Sequence, residues 1–424
     1  MSEMHRRDFL VAAGATALGA LLAACGNAKD VPNATGVTTA GGAAGGAAGG
    51  QGSKPVRKVK LGFIALTDAS SVIMAKELGY FAERDLDVEV IKQASWPATR
   101  DALLNNQIDG CHGLYTLPSS VATGIGGNST RDLRIAMMLN NNGQAITLSK
   151  DYAAIGYGDP AKARSILESR DAPSMAMTFP GGTHDLWLRY WLLATKANLA
   201  NVKISPVPPA QMVQNMSVGN VDGYCVGEPW GAVAVHQGIG FTHIASQDIW
   251  LNHPEKALVV TEKFATEQRD TLKDVMGAVL QASKWIDDPA NRSRAAETVA
   301  PENYINAPAA DIRGRLTGLY DLGGGLGTRD YKGEQMQFSR NGQVNFPRRG
   351  HLIWAMSQYV RMGLLKEAPP YQQIADQLVL TDLYAEVARA EGIPIPDDDM
   401  APFEIRLDKT MFDPRKPDQE TKRL

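Results

Sequence analysis

The stretch FPGGTHDLWLRYWL, residues 179–192, sets two glycines, a hydroxyl and a histidine at the mouth of an apolar helix. Glycine lets a backbone approach another group closely, and the first amides of a helix point outward without internal partners. Small anions bind at such places. The same residues also suit an ordinary turn with Thr183 or Asp185 as N-cap, and this stretch alone favours neither reading. Elsewhere the chain carries no Walker loop, no G-x-G-x-x-G, no H-E-x-x-H, no C-x-x-C and no nucleophile-elbow pentapeptide. Nothing in these patterns points to an enzyme, a cofactor or a metal.

The elements around the stretch repeat. VKLGFIAL reads as a buried parallel strand, TDAS as a loop with capping residues, the run to about Gly79 as a helix and LDVEVI as the next strand. SMAMTF, PGGTHD and LWLRYWLLATKANL repeat that order, so the glycine loop occupies the place of TDAS. NNQIDGCHGLY (105–115) and VGNVDGYCVGEPW (218–230) form a second matched pair. Two similar α/β lobes with ligand-facing loops imply a cleft between them. Cys111 and Cys225 then fall on strands of different lobes, where a disulfide would lock any hinge, so free buried thiols are expected. DLGGGLGTRDY (321–331) follows a helix-like stretch and reads as a flexible turn.

The chain has 424 residues, a formal net charge of −3 and 21% charged residues, which gives no basic field for nucleic acid. HRRDFL (5–10) resembles a twin-arginine export signal, and the apolar run after it is short and rich in small residues. It ends in LAAC, which looks like a lipobox with Cys25 as the lipidated residue. Residues 26–55 are Gly/Ala-rich and bury too little to fold, giving a tether on the order of 30 Å for about 30 residues.

NNNGQAITLS, FPGGTHDLWLRYWL, CVGEPWGA, WLNHPEKALVV and VNFPRRGHLIWAMSQYVRMGLL together resemble the substrate-binding proteins of nitrate and bicarbonate ABC transporters, across the chain after Val56. The resemblance implies a type II periplasmic-binding-protein fold: two α/β lobes, a hinge, and a helical C-terminal extension on the first lobe. The expected division is a signal peptide over 1–25, the tether over 26–55, the first lobe over 56–147, the second over 148–256, and the first lobe's return with the extension over 257–424. It also implies an anion held by Trp96, Gln144, His184, the Gly227 amide and, as in the nitrate branch, Lys256. Taken singly, Trp96 is an ordinary core aromatic, Gln144 a surface amide and Lys256 a solvated lysine; their joint occurrence in matching contexts carries the assignment. Thr67, Thr183 and Glu228 are weaker neighbours of the same site.

The implied set makes chemical sense, because nitrate offers only acceptors and these groups donate. A pocket made wholly of donors would leave the hydroxyl of bicarbonate unpaired, at a cost of roughly 1–3 kcal/mol. The expectation is a nitrate (or nitrite) receptor, lipid-anchored on the periplasmic face of the inner membrane and delivering to an ABC permease. The alternatives are a bicarbonate receptor of the same family and a nitrate-sensing regulatory protein, the latter lacking an export signal. An enzyme on the same fold is disfavoured for the same reason.

Overall fold

The computed structural model describes residues 55–169 and 172–423. The expected export signal, Cys25 and the Gly/Ala-rich run lie outside them. None of the described helices is long and apolar enough to cross a membrane.

Strand β1 (Arg57–Phe63) buries Val59, Leu61 and Phe63, as its alternation requires. It pairs in parallel with β2 (Leu86–Lys92) on one side and β3 (Gly110–Leu114) on the other. After β4 (Leu133–Asn141) the chain leaves this sheet and builds a second from β5 (Gln144–Ser149), β6 (Ser174–Met177), β7 (Lys203–Pro206), β8 (Gly223–Gly227) and β9 (Gly240–Ala245). It then returns through β10 (Pro254–Thr261) to the first. The sheet orders are β2-β1-β3-β10-β4 and β7-β6-β8-β5-β9. Each lobe therefore has a parallel trio and, fourth in order, an antiparallel strand that arrives from the other lobe. The matched sequence pairs are matched elements: β1 with β6, and β3 with β8.

These strands move the expected lobe boundaries. Gln144–Ser149 pairs with β8 and β9, so the first crossing is at 142–143 and not after 147. Lys256 pairs with Leu114 and Asn140 in the first sheet, so the return precedes Pro254 rather than following 256. The polar stretch NNNGQ (140–144) interrupts the apolar runs at the first crossing, yet every residue from Leu133 to Leu148 is buried, so burial shows no break there. The punctuation is conformational: Asn142 and Gly143 have φ of 60° and 92°, and a Cβ on Gly143 would strike Met336.

The C-terminal region is helical where expected, over Arg349–Arg361, Tyr371–Leu378 and Thr381–Ala390. It is not confined to the first lobe. Leu380 N–H donates to Ile135 O of β4, whereas Trp354 stacks on Trp187 of the second lobe at 5.4 Å. DLGGGLGTRDY is a hairpin rather than a loose turn: Leu319–Asp321 pairs with Thr328–Asp330, and Leu322 O accepts from Thr242 N–H of β9. Its glycines 323, 324, 325 and 327 take the positive φ that the reversal demands. Cys111 and Cys225 are free and buried in separate lobes.

Candidate functional site

The facing ends of the two sheets meet at a sealed polar cluster. Asp68 comes from the short turn Thr67–Ala69 that follows β1, and His112 from β3. Glu255 and Lys256 open β10, and Trp96 begins the helix Trp96–Leu104, whose Ser95 cap accepts from Ala98 N–H. From the second lobe come Gln144 at the start of β5, Gly227 at the end of β8, and His184 in the first turn of the helix Thr183–Thr195. Asp68, Trp96, His112, Gln144, His184, Glu255 and Lys256 are all 0% exposed. Loops at strand ends carry function because a rigid sheet places them there.

Lys256 is the hub. Its Nζ donates to Asp68 Oδ2 at 2.7 Å and to Glu255 Oε1, lies 3.5 Å from His184 Nε2, and sits 5.8 Å from the centre of the Trp96 ring. Asp68 Oδ1 is 2.6 Å from His112 Nε2. Glu255 also accepts from Thr183 Oγ1 at 3.0 Å and Trp187 Nε1 at 3.4 Å, with His184 Nε2 at 3.2 Å. The other ring nitrogen of His184 is 2.6 Å from Thr178 Oγ1. Gly227 pairs directly with Gln144, and a Cβ on it would lie 3.1 Å from Asp68 Oδ2. A side chain there would crowd the cluster.

Charge follows from this packing. Burial pushes the Asp68 carboxyl up, but Lys256 and His112 outweigh it and hold it below the ordinary range. Glu255 behaves likewise, with Lys256 and then His184 overcoming burial. Burial would lower Lys256, yet the two carboxylates raise it. Burial lowers His112 more than Asp68 restores it, and burial with Lys256 lowers His184 against Glu255. The cluster holds two carboxylates, one ammonium and two neutral imidazoles.

The expected pocket of donors alone is thus overturned, because Asp68 and Glu255 are acceptors inside it. Two donors nevertheless have no protein partner: Trp96 Nε1 and the Gln144 amide, both of whose polar atoms are buried and unbonded. Of the weaker neighbours, Thr183 joins through Glu255, and Thr67 Oγ1 is buried without a partner. The Glu228 carboxylate turns away, 3.1 Å from Arg315 Nε. Asp68 and His112 join the expected residues, Asp68 from TDAS and His112 from the strand part of the NNQIDGCHG repeat, the sequence signals that lie nearest to them.

The glycines answer a different need from an anion cradle. Gly182 is the N-cap, displacing Thr183 and Asp185 from that role; Asp185 instead accepts from Gly181 N–H at 2.8 Å. A Cβ on Gly182 would lie 2.7 Å from Leu114 of the first lobe, and one on Gly181 (φ 68°) 2.8 Å from Ser120 Oγ. The close approach is between lobes. Ser120 Oγ donates to Pro180 O at 2.7 Å, Thr67 N–H to Glu228 O at 2.7 Å, and Trp230 Nε1 to Ala65 O at 2.9 Å, all across the same interface.

The chain matches the NMT1-like family over residues 52–300. The nitrate/nitrite-binding protein NrtA of Synechococcus elongatus is 37% identical to it over 98% of this chain and 97% of its own. The bicarbonate-binding protein CmpA of that organism is 30% identical over 93% of this chain and 91% of its own. The crystal structure of the periplasmic nitrate-binding protein NrtA from Synechocystis matches with a TM-score of 0.83 at 34% identity, covering 86% of this chain and 98% of that one.

Proposed function

Since the chain belongs to the NMT1-like family, among the nitrate/nitrite-binding proteins and their bicarbonate-binding relatives, we propose that it is a periplasmic nitrate receptor serving an ABC permease. It binds and delivers rather than catalyses. The observation that carries the ligand is the pair of orphaned donors, Trp96 Nε1 beside the Lys256 ammonium and the side-chain amide of Gln144, the residue paired with Gly227. A buried polar group without a partner costs roughly 1–3 kcal/mol, which an acceptor-only anion would recover. In this reading Trp96, Gln144 and the Gly227 amide donate to nitrate, His184 presents an N–H, and Lys256 supplies charge. Nitrite, smaller and also acceptor-only, is a natural second ligand. Outside the described residues, Cys25 would carry the acyl anchor; mass spectrometry finding an unmodified mature N-terminus would remove the anchor and leave the receptor intact.

A second reading has its own observation. Glu255 and Asp68 are acceptors in the cluster, and an acceptor there suits the hydroxyl of bicarbonate. Calorimetric titration with nitrate, nitrite, bicarbonate and a sulfonate separates the two. Nitrate should bind in the micromolar range, about −8 kcal/mol, without added calcium. Bicarbonate binding with nitrate inert would reverse the assignment.

A further inference from the structure

Around Lys256 the positive and negative charges do not balance. Its ammonium is shared by Asp68 at 2.7 Å and by Glu255, and no other ammonium or guanidinium bonds either carboxylate among the described residues. With both imidazoles neutral the sealed cluster carries one excess negative charge, and a bound nitrate would make it two. Like charges a few ångströms apart on groups with no exposed surface repel more strongly than at a surface, where salt and bulk water screen them.

We infer that the site takes up its anion together with one proton from solvent, and that His184 holds that proton. The inference rests on the nitrate-receptor reading. His184 is the imidazole with an acceptor available at each ring nitrogen, and the Lys256 ammonium 3.5 Å from Nε2 opposes its protonation until an anion lies between them. Thr178 Oγ1, 2.6 Å from Nδ1, donates to a bare nitrogen and, by rotating its hydroxyl, accepts from a protonated one. At Nε2 the Glu255 carboxylate, 3.2 Å away, accepts from an imidazolium, and so does a bound anion. His112 has no such freedom: Nε2 is committed to Asp68 Oδ1, and Nδ1 is buried with no partner, so a proton there would be a stranded N–H.

The groups facing His184 come from every element packed on it. Glu255 and Lys256 lie on β10 with His253 just before it; Thr178 follows β6, and Asp68 acts through Lys256 from the turn after β1. Asp185 on its own helix is occupied by Arg189 Nε at 2.7 Å and by Gly181 N–H. In the unliganded site burial and Lys256 keep His184 neutral; an anion at Nε2 reverses that balance, so the proton enters with the ligand.

The test is calorimetry of the full chain with sodium nitrate from pH 6 to 8.5 in two cationic buffers of different ionisation enthalpy. Heats should differ by the amount set by uptake approaching one proton per nitrate, and Kd should rise up to tenfold per pH unit on the alkaline side. Thr178→Val, which keeps the shape and removes the hydroxyl, should bring that loss of affinity to lower pH, whereas a purely structural defect would weaken binding equally at every pH. His184→Gln should bind weakly with buffer-independent heats. Nitrate binding by the unmutated chain with equal heats in both buffers and a flat pH profile would overturn the inference while leaving the receptor standing. Proton uptake surviving in His184→Gln would remove His184 as its carrier. Absence of nitrate binding in any buffer would instead overturn the receptor reading itself.

Discussion

Gln144 is held in place without any protein partner for its amide, and that is a cost the folded protein sustains. Replacing it by Leu, similar in size and apolar, should leave the unliganded protein as stable or more stable, because an unpaired buried amide disappears. Nitrate affinity should nevertheless fall at least tenfold, since a donor to the anion goes with it. Thermal melts and calorimetry on one preparation decide this; an unchanged Kd would take Gln144 out of the site. At this scale the sequence shows residue types in recognisable contexts, and Trp96, His184 and Lys256 do converge. It does not show pairing. Glu255 adjoins Lys256 in HPEKA, but that its carboxylate also meets His184 and Thr183 of the other lobe depends on contacts 71 and 72 residues apart in the chain.

The strand–loop–helix units were legible because their periodicities differ, near 2 for strands and 3.6 for helices, and because one unit repeats the other. What separated prediction from structure were elements defined by long-range partners. The hairpin over 319–330 consists of two three-residue strands, too short for alternation to register, and takes its place from Thr242 and Arg315, which Glu228 also meets. The crossing at Asn142–Gly143 carries turn residues in NNNG, but that the chain changes sheets there is set by which strands Gln144–Ser149 pairs with. Trp230, in the helix Trp230–His236, is an element-level latch: its indole N–H reaches Ala65 O of the other lobe at 2.9 Å. Trp230→Phe keeps the apolar body and loses about 1 kcal/mol of closure. Because apparent affinity scales with the fraction of closed molecules, nitrate binding should weaken about fivefold where closure limits it, with little change in melting temperature. Small-angle scattering should show a larger unliganded population of open molecules. Equal affinity and an unchanged scattering profile would mean that Trp230 merely packs.

Across the whole molecule the buried histidines set the response to acid. Burial pushes His243 and His253 down to about 4 and His351 to about 3, and it lowers His112 and His184 as well. The unfolded chain protonates these rings first, so stability falls as pH drops below about 6.5 and goes on falling until the folded values are passed. At pH 5 each of the three with the lowest values costs roughly 2 kcal/mol. Glu228 and Asp185, raised by burial, pull the other way and gain as pH falls through their folded values. Asp68 and Glu255, held low, contribute stability above the ordinary carboxylate range and lose it as pH falls through their folded values. On the alkaline side Lys256, raised by its two carboxylates, keeps its contribution until pH passes its folded value above 10.5. Above pH 8 the urea midpoint should decline as the unfolded chain ionises Cys111 and Cys225, which burial keeps as thiols in the folded one. Five lowered histidines against two raised carboxylates predict a midpoint that is flat from pH 7 to 8 and drops steeply between pH 6.5 and 5. Nitrate should resist that drop: if its proton resides on His184, the gain in midpoint at fixed nitrate grows as pH falls from 8.5 toward 6.5. A gain that stays constant over that interval would show an anion binding without its proton, and a midpoint indifferent to pH between 7 and 5 would show that the histidines are not buried neutral.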